Sequence, residues 1–191
     1  MTDQELLTSL LAERSSKKGH FVLASGREST FYIDARLTTM SPDGLAVIGR
    51  FGLSMIQQSG WDVDAVGGMT LGADPVSYAI SYASASLSHP LRAFTVRKEA
   101  KTHGTGKLIE GPFRSGDRVV VIEDVITTGG SALRAIEAVR AEGGTVSGVL
   151  AVVDREEGGR EKLESAGVSV ITLSTARQIM SALEKRGDRR P

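Results

Sequence analysis

VVVIEDVITTGGS, residues 119–131, decides the fold of this 191-residue chain. Four consecutive apolar β-branched residues predict a strand over 118–123 that is buried on both faces. Two carboxylates, two threonines and two glycines follow, and apolar residues at helical spacing then predict a helix over 131–142. A buried strand that runs through a glycine turn into a helix is one unit of a parallel α/β sheet.

The same alternation continues in both directions along the chain. After an amphipathic helix over 3–15 and a strand pair over 20–34, the pattern predicts strands at 65–68, 91–96, 118–123, 146–153 and 168–173, and helices beginning at Pro42 and over 74–85, 131–142, 160–166 and 175–185. Such an order predicts an α/β fold with a central, mostly parallel sheet and right-handed crossovers. Residues 100–116 fit no period and hold four glycines, which is typical of a functional or disordered loop.

Composition excludes several classes of function. Lys and Arg total 23, as do Asp and Glu, so the net charge of zero disfavours a general nucleic-acid binder. The chain has no cysteine, which excludes disulfides, zinc–thiolate sites and thiol nucleophiles, and its three histidines are scattered. No apolar run is long enough to span a bilayer, and no signal segment is recognisable, so we expect a cytoplasmic protein.

The turn at 127–131 has the chemistry of a phosphate site. Glycines allow a close backbone approach, and the free N–H groups of a helix N-terminus attract an anion. Glu123 and Asp124 can accept hydrogen bonds from sugar hydroxyls or join the shell of a Mg²⁺ ion, so the segment predicts a sugar-phosphate site. The alternative is an ordinary strand–turn–helix with Ser131 as a cap and two surface acids. Walker and dinucleotide motifs are both absent.

Residues 123–131 resemble the 5-phosphoribosyl-1-pyrophosphate (PRPP) motif of the type I phosphoribosyltransferases. The resemblance implies that fold, with a small N-terminal hood over about 1–40 and an α/β core over about 60–175 of a single domain, 1–191. It also implies PRPP contacts from Glu123, Asp124, Val125, Ile126, Thr127, Thr128, Gly129, Gly130 and Ser131.

A second segment, TVRKEAKTHG at 95–104, resembles the mobile loop of the orotate phosphoribosyltransferases. The resemblance implies PRPP contacts from Arg97, Lys98, Lys101 and His103, because four cations suit a pyrophosphate leaving group. It assigns catalytic roles to Lys101 and His103 together with Asp124. We expect residues 100–111 to be disordered without ligand and to close over it, within a mobile loop at about 100–112.

Two further segments resemble the same family. FVLASGRESTFYID, 21–34, is similar to the hairpin that covers the base, and the pair Asp154-Arg155 follows the next strand. Orotate contacts are thereby implied for Thr127, Arg155, Phe31 and Tyr32. Arg155 also makes chemical sense, because a guanidinium matches the planar carboxylate of orotate.

The chain departs from the family pattern at two places. Many members have a lysine where Ala24 stands, and a Tyr-Lys pair where Thr70-Leu71 stands. These differences remove two lysines that could contact PRPP and shift that role to the mobile loop. The glycine turn at 67–72 is still expected to bind pyrophosphate through its backbone.

Taken together, the resemblance implies that orotate and PRPP react to give orotidine 5′-monophosphate and pyrophosphate. It implies Mg²⁺ held mainly by PRPP, with Asp124 through a water, and a homodimer whose loop at 97–112 is shared between subunits. No nucleic-acid or membrane partner is expected. Two alternatives remain open: transfer to another nucleobase, and a regulator that senses PRPP without turning it over.

Overall fold

The structure is a computed structural model that describes residues 1–22, 28–99 and 107–187. The helices are α1 (Asp3–Leu10, continued by a π-helical turn, Leu11–Ser15), α2 (Arg36–Thr39), α3 (Pro42–Gln58), α4 (Ala73–Ala83), α5 (Gly130–Ala141), α6 (Gly159–Ser165) and α7 (Ala176–Gly187). The strands are β1 (Ser16–Val22), β2 (Glu28–Ile33), β3 (Ala65–Met69), β4 (Arg92–Val96), β5 (Ile109–Glu110), β6 (Arg118–Ile126), β7 (Thr145–Asp154) and β8 (Val170–Thr175).

Six strands form the central sheet in the order β5-β4-β3-β6-β7-β8. All neighbours are parallel except β4 and β5, so the predicted α/β class and mostly parallel sheet are confirmed. Residues 119–122 of β6 are fully buried in the middle of this sheet. A helix layer covers each face: α1, α3, α4 and α7 pack on one, and α5 and α6 pack on the other.

A two-stranded antiparallel sheet, β1–β2, stands apart from the central sheet and matches the hairpin predicted over 20–34, although β1 begins earlier, at Ser16. Thr2 and Glu5 form the capping box expected at the start of α1. The hairpin brings Phe31 and Tyr32 to the strand end that leads into α2.

Two expectations need correction. β6 does not end at the acid pair but continues to Ile126, because its pairing with β7 extends through Val125 and Ile126. Disorder as far as Gly111 does not hold for Ile109 and Glu110, which pair with Val96 and Thr95. Residues 100–106, with Lys101 and His103, lie outside the described residues.

Candidate active site

The turn between β6 and α5 presents backbone N–H groups at the carboxyl edge of the sheet. Gly129 has φ +74°, a conformation that a side chain disfavours, and it directs the chain into α5. No side chain in the described part of the protein caps this helix. Ser131 is therefore not a helix cap, as it would be in an ordinary strand–turn–helix. The first amides of α5 therefore remain available to an anion, and the helix dipole favours one there.

Glu123 is not a surface acid. Glu123 is only 7% exposed, and its Oε1 accepts no hydrogen bond from the described residues. Burial, reinforced by the neighbouring charge of Asp124, raises the pKa of Glu123 to about 8, although the positive charge of Arg134 on α5 opposes this shift. Burial therefore disfavours the charged form of Glu123 in the free protein.

Asp124 has different surroundings, on the side of the hood and the β3–α4 turn. Oδ1 accepts a hydrogen bond from the N–H of Val125 at 2.9 Å. A Cβ atom added at Gly72 would lie 2.5 Å from Oδ1, so a side chain there would displace the Asp124 carboxylate. Burial raises the pKa of Asp124, while the nearby Arg36 lowers it. The two adjacent acids therefore lie near the carboxyl end of β6 but differ in their neighbours.

The burial of Glu123 gives a testable pH dependence. The pKa of Glu123 is about 8 in the folded protein and about 4.3 in the unfolded chain. The folded protein therefore loses stability as the pH rises between these two values. Glu123→Gln removes this titration. When the pH is raised from 5 to 8.5, the unfolding free energy of wild type should therefore fall by a few kcal/mol relative to that of the variant. Urea unfolding in metal-free buffer at both pH values measures it. Parallel behaviour of variant and wild type would contradict the assignment, and the exposed Glu164→Gln is the control.

Asp74 links the glycine turn to β4. Its Oδ2 accepts a hydrogen bond from Thr70 Oγ1, and its Oδ1 accepts one from Thr95 Oγ1, both at 2.8 Å. These two hydrogen bonds join the predicted pyrophosphate turn to β4, the strand that precedes Arg97. Within the turn, the peptide bond between Thr70 and Leu71 is cis.

Arg97 and Lys98 follow β4 and are exposed. The backbone N–H of Arg97 donates to the backbone oxygen of Leu108 at 2.9 Å, and the Arg97 guanidinium lies 3.6 Å from the Glu110 carboxylate. Both side chains line a cavity of about 290 Å³, which Arg134 and Glu137 also border. The two cations therefore stand on the α5 side of the carboxyl edge.

The residues expected to bind the base are partly assembled. Arg155 follows β7, and its backbone N–H donates to the backbone oxygen of Ile126 at 3.0 Å. This hydrogen bond places Arg155 beside the turn that contains Thr127. Its side chain is only 10% exposed and pairs with Glu157 at 2.8 Å. Phe31 is buried, whereas Tyr32 is exposed at the edge of the hood.

Among the residues expected to contact PRPP, two have side chains committed to packing. Val125 packs against one apolar cluster and Ile126 lies in the other, so only their backbone atoms can reach a ligand. Thr128 is exposed, and Thr127, Gly130 and Ser131 are half-buried at the edge. These four residues can present their backbone, and three of them their hydroxyl groups, to a phosphate.

Sequence reasoning missed two acidic anchors, Asp34 and Asp74. The Asp34 carboxylate accepts two hydrogen bonds from the Arg36 guanidinium at the end of the hood. The negative charge of Asp34 also raises the pKa of Asp124. Their positions in the sequence were the available signal: Asp34 directly follows β2, and Asp74 lies two residues after the glycine turn at 67–72.

Relatives with the same architecture are numerous. No model of a known protein family matches the chain. An orotate phosphoribosyltransferase of Aquifex aeolicus is 46% identical over 91% of this chain and 95% of its own length. The chain belongs to the orotate phosphoribosyltransferase family. A second orotate phosphoribosyltransferase, from Mycobacterium avium, is also 46% identical, over 88% of this chain and 92% of its own.

Solved structures of the orotate phosphoribosyltransferase family agree in fold. The Mycobacterium tuberculosis orotate phosphoribosyltransferase with Fe(III) dicitrate has a TM-score of 0.82 and 42% identity, covering 93% of this chain and 99% of that one. The same enzyme in complex with PRPP has a TM-score of 0.77 and 39% identity, with 94% and 99% covered. No helix in the described ranges is both long and apolar enough to cross a membrane.

Proposed function

We propose that the protein transfers the 5-phosphoribosyl group of PRPP to orotate, giving orotidine 5′-monophosphate and pyrophosphate in pyrimidine biosynthesis. One observation carries the proposal: the β6–α5 segment joins uncapped helix amides to a partly buried acid pair, in a chain 46% identical to an orotate phosphoribosyltransferase. A phosphate at one end of the ligand and a pentose beside it satisfy both features.

The turn at 127–131 anchors the 5′-phosphate in this proposal. The uncapped amides of α5 donate to the phosphate oxygens, and the hydroxyls of Thr127, Thr128 and Ser131 add donors. A fixed phosphate positions C1′ near the acid pair, and such positioning lowers the barrier because fewer degrees of freedom are lost in the reaction.

The acid pair acts on the ribose. Asp124, half-buried beside Gly72, accepts hydrogen bonds from ribose hydroxyls, and its negative charge stabilises positive charge developing at C1′. Glu123 contributes as an acceptor once substrate supplies the donor that Oε1 lacks among the described residues. No covalent nucleophile is required.

The base is bound from the opposite side by the hood and β7. Arg155 pairs with the orotate carboxylate, for which its guanidinium retains N–H donors beyond the one bound to Glu157. Thr127 and the backbone at Phe31 and Tyr32 orient the ring so that N1 attacks the face away from pyrophosphate.

The leaving group is bound by the turn at 67–72 and by cations. Arg97 and Lys98 lie at the end of β4, next to that turn. Lys101 and His103 are assigned to the same pyrophosphate by resemblance, with His103 as hydrogen-bond or proton donor.

The site fits a Mg²⁺ ion held mainly by substrate. Mg²⁺ prefers oxygen ligands, keeps several waters and needs only one or two carboxylates. In the described residues no group of three His, Cys, Asp or Glu is arranged to hold a metal, whereas Asp124 presents a carboxylate at the edge of the site. Asp124 would hold the ion through a water, and the ion would neutralise charge on the pyrophosphate.

We further propose a homodimer that shares the loop at 97–112. Tyr78 and Tyr82 lie one turn apart on α4 and are exposed, as is Leu71 just before this helix. Such an apolar surface beside the pyrophosphate turn is typical of an interface. The balanced charge and small-molecule substrates support a cytoplasmic enzyme without a nucleic-acid partner.

Tyr82→Glu tests this dimer surface. Tyr82 is 85% exposed in the single chain, so the change should leave the fold intact but bury a charge in the interface. Sedimentation velocity should show dimers for wild type and at least a tenfold weaker association for the variant. Glu137→Gln, on α5, is the control. A dimer of unchanged strength would refute this surface.

A direct assay tests the proposed reaction. Orotate absorbance is followed with PRPP and Mg²⁺, and adenine and uracil replace orotate as controls. The proposal predicts loss of orotate that depends on PRPP, with no transfer to either control base. Binding of PRPP without turnover would instead support the sensor, and transfer to adenine or uracil would change the base.

Arg155→Ala tests the carboxylate contact. Loss of a charged hydrogen-bonding partner is worth about 1.5–3 kcal/mol, so KM for orotate should rise roughly 10- to 100-fold. KM for PRPP should change less than threefold, because Arg155 lies beyond the ribose in this arrangement. Steady-state kinetics with each substrate varied gives both values. Equal losses for the two substrates would contradict the assignment.

A further inference from the structure

Arg36 is the first residue of α2, just past the hood strand, and has no role in the assignments above. Its Nε donates to Asp34 Oδ1 at 2.8 Å, and its Nη2 donates to Asp34 Oδ2 at 3.0 Å. The backbone N–H of Arg36 also donates to Asp34 Oδ1, at 3.2 Å. Asp34 therefore holds both the backbone and one edge of the guanidinium in a fixed position.

The Asp34–Arg36 pair interacts electrostatically with Asp124 of β6. The positive charge of Arg36 lowers the pKa of Asp124, and the negative charge of Asp34 raises it, so both side chains lie within electrostatic reach. Asp124 in turn touches Gly72 of the pyrophosphate turn. The guanidinium therefore lies within electrostatic reach of the carboxylate that touches that turn.

The glycine turn itself carries no positive charge. Residues 65–75, which contain the whole turn, include no lysine or arginine, and Ala24 and Leu71 stand where many relatives have lysines. Asp124 and Asp74 meanwhile contact this turn with their carboxylates. Arg97 and Lys98 lie on the α5 side of the sheet edge, so a cation at the hood would bind a multiply charged ligand from the other side.

Arg36 has donors to spare for such a group. A guanidinium has five N–H groups, and Asp34 takes two of them. No other acceptor for its side chain occurs within residues 1–22, 28–99 and 107–187. Its side chain is 51% exposed, so the remaining edge is accessible to a ligand.

We propose that Arg36 is a substrate-binding residue that contacts the pyrophosphate group of PRPP from the hood side. The contact rests on the proposed function and adds to it a residue that compensates for the missing lysines. Asp34 acts as its positioning residue. Planar, bidentate recognition of phosphate oxygens is the chemistry for which arginine is suited.

Calorimetric titration with two ligands tests the contact. PRPP and ribose 5-phosphate share the pentose and its 5′-phosphate, and only PRPP has the pyrophosphate. With Mg²⁺ present, Arg36→Gln should weaken PRPP at least tenfold and ribose 5-phosphate less than twofold. Arg36→Lys, which keeps the charge, should recover part of the loss.

Arg50→Gln is the matched control. Arg50 on α3 is also 51% exposed and also forms a two-nitrogen ion pair, with Asp3 on α1. Its replacement should leave both affinities within twofold of wild type. Because both pairs are exposed, both variants should keep the wild-type melting temperature within about 3 °C.

The outcomes separate this inference from the proposed function. If wild type turns over PRPP and orotate, but Arg36→Gln binds PRPP within twofold of wild type, the Arg36 contact is wrong. Equal weakening of PRPP and ribose 5-phosphate would also refute it, because that result places Arg36 at the pentose. A wild type that binds no PRPP would overturn the proposed function and this inference with it.

Discussion

Gly129→Ala should lower kcat/KM for PRPP by roughly 10²–10³, the loss typical of removing one preorganised donor to a charged group. Gly129 has φ +74° at the start of α5, and a Cβ atom there would lie 2.9 Å from Gly159 O. The added methyl group must shift either the turn or α6, and either movement redirects the amides that bind the phosphate. Steady-state kinetics with PRPP varied measures the effect.

Gly158→Ala provides a matched control for backbone strain. Gly158 occupies the same position before α6, with φ +89°, and apart from its chain neighbours no described residue has an atom within 4 Å of its added Cβ atom. Both variants should lose about 1–2 kcal/mol of stability, since each forces a side chain into the left-handed region. Only Gly129→Ala should lose activity by two orders of magnitude. Similar activity in the two variants would remove the β6–α5 turn from the phosphate site.

Asp124→Asn should lower kcat by about 10²-fold. The change keeps the size of the side chain and removes the negative charge that faces C1′, so the positive charge that develops there loses its stabilisation. Burial raises the pKa of Asp124, which means that its charge already costs folding free energy. The variant should therefore melt at the same temperature as wild type or higher, and loss of activity cannot come from unfolding.

The control for Asp124→Asn is Asp62→Asn. Asp62 is exposed and pairs with Arg118 at the opposite end of β6, so its replacement should leave kcat within twofold. An Asp124→Asn enzyme with unchanged kcat would eliminate the charge at C1′ from the mechanism. A loss confined to a lower melting temperature would make Asp124 a structural residue.

The fold followed from local patterns that tertiary packing does not override. Residues 119–122 are apolar and β-branched, and they form the buried centre of the sheet as predicted. The end of β6 was misplaced, because a charged pair usually marks the end of a buried strand. Here the backbone pairing with β7 continues through Val125 and Ile126 even though Glu123 interrupts the apolar pattern.

The residue pattern by itself predicts the site only where it lies within one segment, whereas Arg97 and Arg155, in other segments, were named from the resemblance. The β6–α5 turn is contiguous, so its residues could be named from sequence. Arg36 and Gly72 reach Asp124 from separate elements, and their proximity depends on how the hood and the β3–α4 turn pack at the sheet edge. The high pKa of Glu123 likewise follows from burial, which a sequence pattern does not specify.

A crystal structure of the protein soaked with PRPP tests whether the β6–α5 turn binds the 5′-phosphate. We expect a phosphate within hydrogen-bond distance of the backbone N–H groups of residues 128–131, with the ribose beside Asp124. A phosphate bound elsewhere, with those N–H groups directed away from the ligand, would contradict it.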